Sequence, residues 1–175
     1  MKKYFSIFAL ALVMGLGFAS CSTETDEPAG GTKVEKMAGH WVVNTDLIDG
    51  TDTIPNVYAD YGIVDWDMTT YNTANDDKDL MWLSDNNNFW GYTLKVPIDL
   101  DAMTFAVKDG FIYEDEDEDG NPIDINCTIS NGKIIENGGL NVNGKPTDAI
   151  EYDITFDDDG YGFVYHVHGV RYAGF

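Results

Sequence analysis

The stretch Asp148-Ala149-Ile150-Glu151-Tyr152-Asp153-Ile154-Thr155-Phe156-Asp157 alternates without a slip. Ile150, Tyr152, Ile154 and Phe156 fall on one side, and Glu151, Asp153, Thr155 and Asp157 on the other. A period of two is the pitch of a β-strand, and the contrast requires a sheet with one dry face and one wet face. The same pattern returns along the chain. Trp90, Tyr92, Leu94 and Val96 share a face, as do Met103, Phe105 and Val107, and a final strand runs from Tyr161 to about Tyr172. Turn chemistry punctuates these runs. Asp157-Asp158-Asp159-Gly160 separates the last two strands, Asn131-Gly132 is the strongest hairpin signal, and Gly138-Gly139 with Asn143-Gly144 bracket a looser connection. No stretch beyond the leader shows a period of 3.6. The expectation is an all-β domain of about eight to ten short strands, either a sandwich or a single antiparallel up-and-down barrel. Closure into a barrel removes the exposed edges that an all-β chain must otherwise manage.

The chain has 175 residues, with ten Tyr, nine Phe and four Trp, and a formal net charge of −21. Such a charge repels phosphate backbones and anionic headgroups, which argues against a nucleic-acid partner. Neutral lipids, neutral glycans, cations and basic proteins remain compatible with it. The aromatic surplus suits an apolar ligand cavity, and it suits a packed core equally well.

The N-terminus has its own logic. Lys2 and Lys3 precede an apolar run from Tyr4 to Ala19, and Phe18-Ala19-Ser20 leads directly into Cys21. A charged start, an apolar middle and small residues before a cleavage point make a secretory signal peptide. The Cys after those small residues resembles a bacterial lipobox, in which the thiol receives a diacylglycerol and becomes the first mature residue. The expected division is a signal peptide at 1–20, a lipidated Cys21 with a flexible tether at 21–38, and a folded domain at 39–175. Thr, Glu, Asp, Pro and a Gly pair fill the tether. With Cys21 lipidated, Cys127 has no partner in the chain and is expected to be a buried, inert thiol between Ile125 and Ile129.

Several motifs resemble known families. Gly39-His40-Trp41 is similar to the Gly-x-Trp strand that opens lipocalins, and Arg171 stands where lipocalins place the Arg that stacks on that Trp. Tyr71-Asn72-Thr73-Ala74-Asn75-Asp76, Met81-Trp82-Leu83-Ser84-Asp85, Phe89-Trp90 and the closing Gly169-to-Phe175 segment resemble the Bacteroidetes family of lipid-binding putative hydrolases. That resemblance covers nearly all of residues 39–175 and departs at Val170 and Ala173. It implies a lipocalin-like barrel lipoprotein with a lipid ligand, closed by Trp41 and Arg171. The acidic residues Glu24, Asp26 and Glu27 resemble a surface-export signal of Bacteroidetes lipoproteins.

Candidates for chemistry are few. A hydrolase needs an activated nucleophile beside a base. After the leader the serines are Ser22, Ser84 and Ser130, and none sits in Gly-x-Ser-x-Gly. His166 and His168 share one face of the last strand, and with His40 on the first strand they could converge as a zinc site or as simple polar neighbours. Asp115, Asp117 and Asp119 with Gly120 match the opening positions of a calcium loop, although position 12 is Asn126 and position 8 is Pro122. The default for that run is a solvated acidic hairpin tip, kept soluble by its own repulsion. Trp66, Tyr71, Trp82, Trp90, Tyr92 and Phe105 are the expected ligand-lining rings. No cofactor is called for beyond this Ca²⁺ option. The favoured reading is a lipoprotein of the outer membrane, on its periplasmic or cell-surface face, holding a small apolar or amphipathic ligand in the barrel. The alternatives are a lipid or ester hydrolase, a surface adhesion or accessory module with a filled barrel, and a Ca²⁺-stabilised structural protein.

Overall fold

A computed structural model describes residues 31–172; the expected signal peptide, Cys21 and the last three residues lie outside that range. Nine strands follow one another: β1 (Gly39–Asp49), β2 (Asp52–Ile54), β3 (Trp66–Asn72), β4 (Leu80–Ser84), β5 (Thr93–Asp99), β6 (Thr104–Glu116), β7 (Pro122–Leu140), β8 (Pro146–Phe156) and β9 (Val164–Arg171), with one 3-10 turn at Ala59–Tyr61. Every pairing is antiparallel, and sequence neighbours pair from β3 to β9. β1 pairs with β3 along its first half and with the short β2 at its end. On its other side it pairs with β9, from Trp41 opposite Arg171 to Ile48 opposite Val164. The result is a closed eight-stranded antiparallel barrel with β2 added as an extra strand, as the alternating sequence pattern implies.

Each of the eight barrel strands turns apolar residues inward, while β2 is exposed throughout. Ile150, Tyr152, Ile154 and Phe156 of β8 are buried, together with Trp41 and Val43, Met68, Met81 and Leu83, Leu94 and Val96, Cys127 and Ile129, and Val167. Most of these have no accessible surface at all, so the middle of the barrel is filled by its own side chains. Cys127 is a free, buried thiol, and burial pushes it up from 9.0 to about 12.

Three local expectations are corrected. Asn131-Gly132 does not turn the chain. It lies inside β7, where four residues of β7 oppose three on each neighbour: Ser130 to Lys133 against Asp153 to Glu151 on β8, and Gly132 to Ile129 against Phe105 to Val107 on β6. Asn131 adopts φ of 55°, and a Cβ on Gly132 would lie 2.4 Å from the Phe105 carbonyl oxygen. The dipeptide that suits a tight hairpin therefore makes a bulge here, bending one long strand around the wall. Gly138-Gly139 likewise lies within β7, and the turn falls at Asn141–Gly144. Lastly, Trp90 and Met103 sit in turns beside β5 and β6, outside the strands proper.

The packed unit also starts earlier than residue 39. Val34 and Met37 are fully buried, in a turn where the Ala38 N–H donates to the Val34 carbonyl. An apolar pair three apart within a polar segment is enough to fold it against the barrel, so Val34 to Ala38, which fall in the expected tether, pack with the domain. This turn caps the end of the barrel where β1 begins. There the Trp41 indole N–H donates to Thr70 Oγ1 at 2.8 Å, and that hydroxyl donates to the Met37 carbonyl at 2.7 Å. Arg171 lies 4.5 Å over the Trp41 ring, donates to the Ala38 and Lys36 carbonyls, and pairs with Asp148 at 3.2 Å. Gly39 leaves room for it, since a Cβ there would lie 2.5 Å from the guanidinium.

Arg171→Ala is expected to lower the unfolding free energy by about 2–3 kcal/mol, from the lost ring contact and the charged hydrogen bonds. Urea unfolding with an unchanged slope would show it; a loss below about 0.5 kcal/mol would mean that strand pairing alone closes the barrel.

Candidate functional site

The two ends of the barrel are built differently. Opposite the Arg171 end, four connections meet: residues 50–65 between β1 and β3, 85–92 between β4 and β5, 117–121 between β6 and β7, and 157–163 between β8 and β9. Three of them, all but 117–121, bring together an aromatic cluster with the adjoining strand ends. Phe89 stands at its centre, with ring centroids 5.6 Å from Tyr58, 5.8 Å from Trp66, 5.7 Å from Trp90, 6.0 Å from Phe156 and 5.4 Å from Tyr165. Trp90 stacks flat on Phe156 at 4.4 Å and 5°. Offset and edge-on ring pairs of this kind contribute about 0.5–1.5 kcal/mol each beyond burial.

Phe89 and Trp90 belong to no strand, and one carboxylate holds them. Asp85 is fully buried at the end of β4. Its Oδ1 accepts from the Asn87 N–H at 3.0 Å, and its Oδ2 accepts from the N–H groups of Phe89, Trp90 and Gly91 at 3.2, 2.8 and 2.7 Å. A desolvated carboxylate is tolerated because four backbone donors replace its water. Asn86 and Asn87 at the start of the loop and Gly91 at its end have φ of 53°, 61° and 81°. These left-handed positions fold residues 86–91 into a compact cap that lays two rings across the barrel mouth. Asp158, in the β8–β9 connection, fastens the cap from outside: Trp90 Nε1 donates to its Oδ1 at 3.0 Å, and the Tyr113 hydroxyl donates to its Oδ2. That acceptor holds the Tyr113 phenol up at about 12.

Beneath the cap, the Tyr92 and Tyr152 hydroxyls meet at 2.5 Å, and Tyr152 also donates to Met68 Sδ at 3.1 Å. Burial pushes both phenols well above 10.0. Tyr165, beside Asp159 and Tyr58, is raised as well, chiefly by burial.

The other expected site residues separate into two groups. Trp66, Tyr92 and Phe105 are inside the barrel, with Trp90 at its mouth. Tyr71 and Trp82 are on the outer wall. They pair across β3 and β4, stack at 6.3 Å, and Lys95 of β5 lies 5.2 Å over the Trp82 ring. The parity of the buried residues explains it: Met68 and Thr70 take the inner face of β3, and Met81 and Leu83 that of β4, so Tyr71 and Trp82 must face out. Asp85, which sequence reasoning missed, carries no period and resembles any other loop acid.

His166 and His168 do share an outer face, with rings 5.5 Å apart, but the three imidazoles have separate partners. His40 pairs with Asp67 at 2.8 Å, His166 with Asp153 at 2.7 Å and His168 with Asp46 at 3.3 Å. The Ser84 hydroxyl is paired with Thr93 Oγ1 at 2.6 Å, with no imidazole as partner. Asp115, Asp117 and Asp119 occupy the tip of the β6–β7 hairpin. Asp117 turns its carboxylate back onto the N–H groups of Asp119 and Asn121 and onto the Asn121 amide, which hold it below its ordinary value. Among the described residues, no three His, Cys, Asp or Glu side chains stand together as a metal site. A groove of about 440 Å³ on the outer wall lies between Val42, Val170 and the β7–β8 connection with Leu140 and Val142.

Comparison with known proteins adds the following. The family model described as lipid-binding putative hydrolase matches residues 26–175. A crystal structure of a Bacteroides ovatus protein of unknown function aligns with 15% identity and a TM-score of 0.44, covering 77% of this chain and 41% of that one. The chain thus spans under half the length of that protein. No curated protein matches the sequence.

Two outcomes follow from this geometry. Asp85→Ala removes four acceptor bonds from a buried position and is expected to cost about 2–4 kcal/mol of stability. Amide exchange at Phe89, Trp90 and Gly91 should accelerate more than in the strands; unchanged protection would show that the rings alone hold the cap. The second concerns alkali. Tyr92, Tyr152 and Cys127 are all raised, so the folded state favours their neutral forms. Their contribution is intact below the pKa values of the unfolded chain, about 8.5 for thiol and about 10 for phenol, and is lost as pH rises beyond them. Stability should be level to about pH 8.5 and fall above it, with phenolate absorbance from these rings appearing together with unfolding. Ionisation of all ten tyrosines near pH 10 in a still-folded protein would contradict it.

Proposed function

Because the chain belongs to the lipid-binding putative hydrolase family, we propose that it holds the apolar part of a small amphipathic ligand, a lipid, against the rings at the capped end of the barrel. The observation that carries this reading is the cap itself. Two large apolar side chains close the mouth from a six-residue loop tied by one carboxylate. A loop of that build lifts as a unit at far less cost than a strand, and its departure exposes Trp66, Phe156 and Tyr165 to a guest. Each CH₂ transferred from water contributes about 0.8 kcal/mol, so an acyl chain of about ten carbons reaches micromolar affinity.

Binding rather than hydrolysis is the favoured activity, since Ser84 is engaged with Thr93 and Cys127 is buried with its thiol held neutral. The proposed setting is the outer membrane, with Cys21 carrying a diacylglycerol anchor and the barrel on the periplasmic or cell-surface side; the lipobox-like end supports it. A second reading, an accessory or adhesion module, draws on the filled interior and on Tyr61 and Tyr161, which are 81% and 83% exposed on the connections around the mouth.

The test uses the chain with Cys21→Ser and a lipid brominated along its acyl chain, since bromine quenches indole emission on contact. Saturable quenching is expected, reduced by about half or more in Trp90→Phe, whose indole the ligand would meet first. No Trp lines the outer groove and Trp82 lies on the outer wall, so the quenching lost in Trp90→Phe reports the barrel mouth. Quenching that rises without saturation would move the assignment to the accessory reading.

A further inference from the structure

The charge of this barrel is divided unevenly between its ends. The segments that form the capped end, 49–66, 84–93, 111–125 and 156–165, contain no Lys or Arg. They carry many acids, among them Asp60, Asp65, Asp115, Asp157 and Asp158. The cations lie elsewhere: Lys33, Lys36, Lys78, Lys145 and Arg171 at the opposite end, and Lys95, Lys108 and Lys133 along the wall. A second, independent observation concerns the rings. Arg171 lies over Trp41 and Lys95 over Trp82, so away from the mouth the protein supplies cations to its own ring faces. At the mouth Tyr61 and Tyr161 stand exposed, with Tyr58 and Trp90 half-buried beside them, and no neighbouring segment brings a cation.

Resting on the lipid-binding reading, we infer that the ligand of the capped end carries a cationic head: an amphiphile with an ammonium or quaternary ammonium group. The apolar chain takes the place of Phe89 and Trp90 over Phe156 and Tyr165, and the head stays at the rim among the phenol rings and the acids. Aromatic faces attract such cations, and more strongly where water is partly excluded. Acids around the mouth raise the local concentration of a cation and lower that of a carboxylate or phosphate, which makes the rim selective as well as attractive. A free fatty acid meets repulsion from every side at this end.

The experiment compares three single-chain amphiphiles of equal length below their micelle concentrations, dodecyltrimethylammonium, dodecyl maltoside and dodecanoate, on the Cys21→Ser chain by calorimetry and Trp emission. The cation should bind about tenfold or more tightly than the maltoside, and dodecanoate the most weakly. Raising salt from about 0.01 M to about 1 M, which shortens the screening length from about 30 to about 3 Å, should remove most of the cation's advantage. Asp60→Asn with Asp157→Asn, two exposed carboxylates without side-chain partners in the cap, should reduce that advantage and leave maltoside binding unchanged. Asp101→Asn at the opposite end should alter neither. Equal binding of cation and maltoside at low salt overturns the inference and leaves the lipid-binding reading standing. Preference for dodecanoate, with or without added Ca²⁺, also overturns it. Failure of all three to bind overturns both.

Discussion

Closure of the sheet onto itself is the constraint from which the rest follows, and one side chain ties it. Arg171 ends the last strand, lies over the Trp41 ring on the first strand, and donates to the carbonyls of Lys36 and Ala38 in the segment beneath. Trp41 in turn is fixed by Thr70 on the third strand. Three parts of the chain far apart in sequence are thus held at one point. Gly169 makes the approach feasible, because a Cβ there would come within 2.1 Å of the Val42 carbonyl oxygen. With this end fixed by cation, ring and backbone, the inward residues of all eight strands share a single interior, and they fill it.

The opposite end solves the same problem without a rigid lock. A packed apolar interior cannot be left open to water, yet here no side chain from the strands spans the mouth. Phe89 and Trp90 do so from a loop, and Asp85 gives the loop its shape by gathering four N–H groups onto one buried carboxylate. The contrast between a bolted end and a clasped end is the main reason for placing function at the second. Rings that close a mouth from a loop are exchangeable for a guest of similar polarity; rings that anchor a strand pair are not.

Much of this was legible in the residues. Strict alternation in Ile150 to Phe156 gave β8 its inner face, and the Trp41–Arg171 contact matched the lipocalin-like motif that predicted it. Less came through where local signals are degenerate. Asn131-Gly132 offers the same left-handed backbone to a hairpin and to a bulge, and only the partner strands decide between them. Tyr71 and Trp82 were placed with the ligand-lining rings although the parity of Trp66 and Met68 already assigned Tyr71 to the outer wall; there the signal existed and was not used. Asp85 had only its place in the family-like segment Met81–Asp85, since a single acid among thirty-one shows its role only through what surrounds it. The aromatic end could be foreseen as composition but not as a place, because three connections distant in sequence build it.

The β6–β7 hairpin shows how this chain avoids templating its own aggregation. β5 pairs with β6 only at Ile98–Phe105 and Asp99–Thr104, whereas β6 continues to Glu116. Most of β6 therefore presents a backbone edge on which another extended chain could add itself. The edge is interrupted by register shifts between Phe105 and Val107, between Val107 and Gly110, and between Phe111 and Tyr113. It also carries Lys108, Asp109, Glu114, Asp115 and Glu116, most of them of one sign. A second copy offering the same strand would meet broken spacing and like charge together. The irregular, acidic hairpin that looks like surplus length thus works against strand addition along the part of β6 that β5 leaves unpaired.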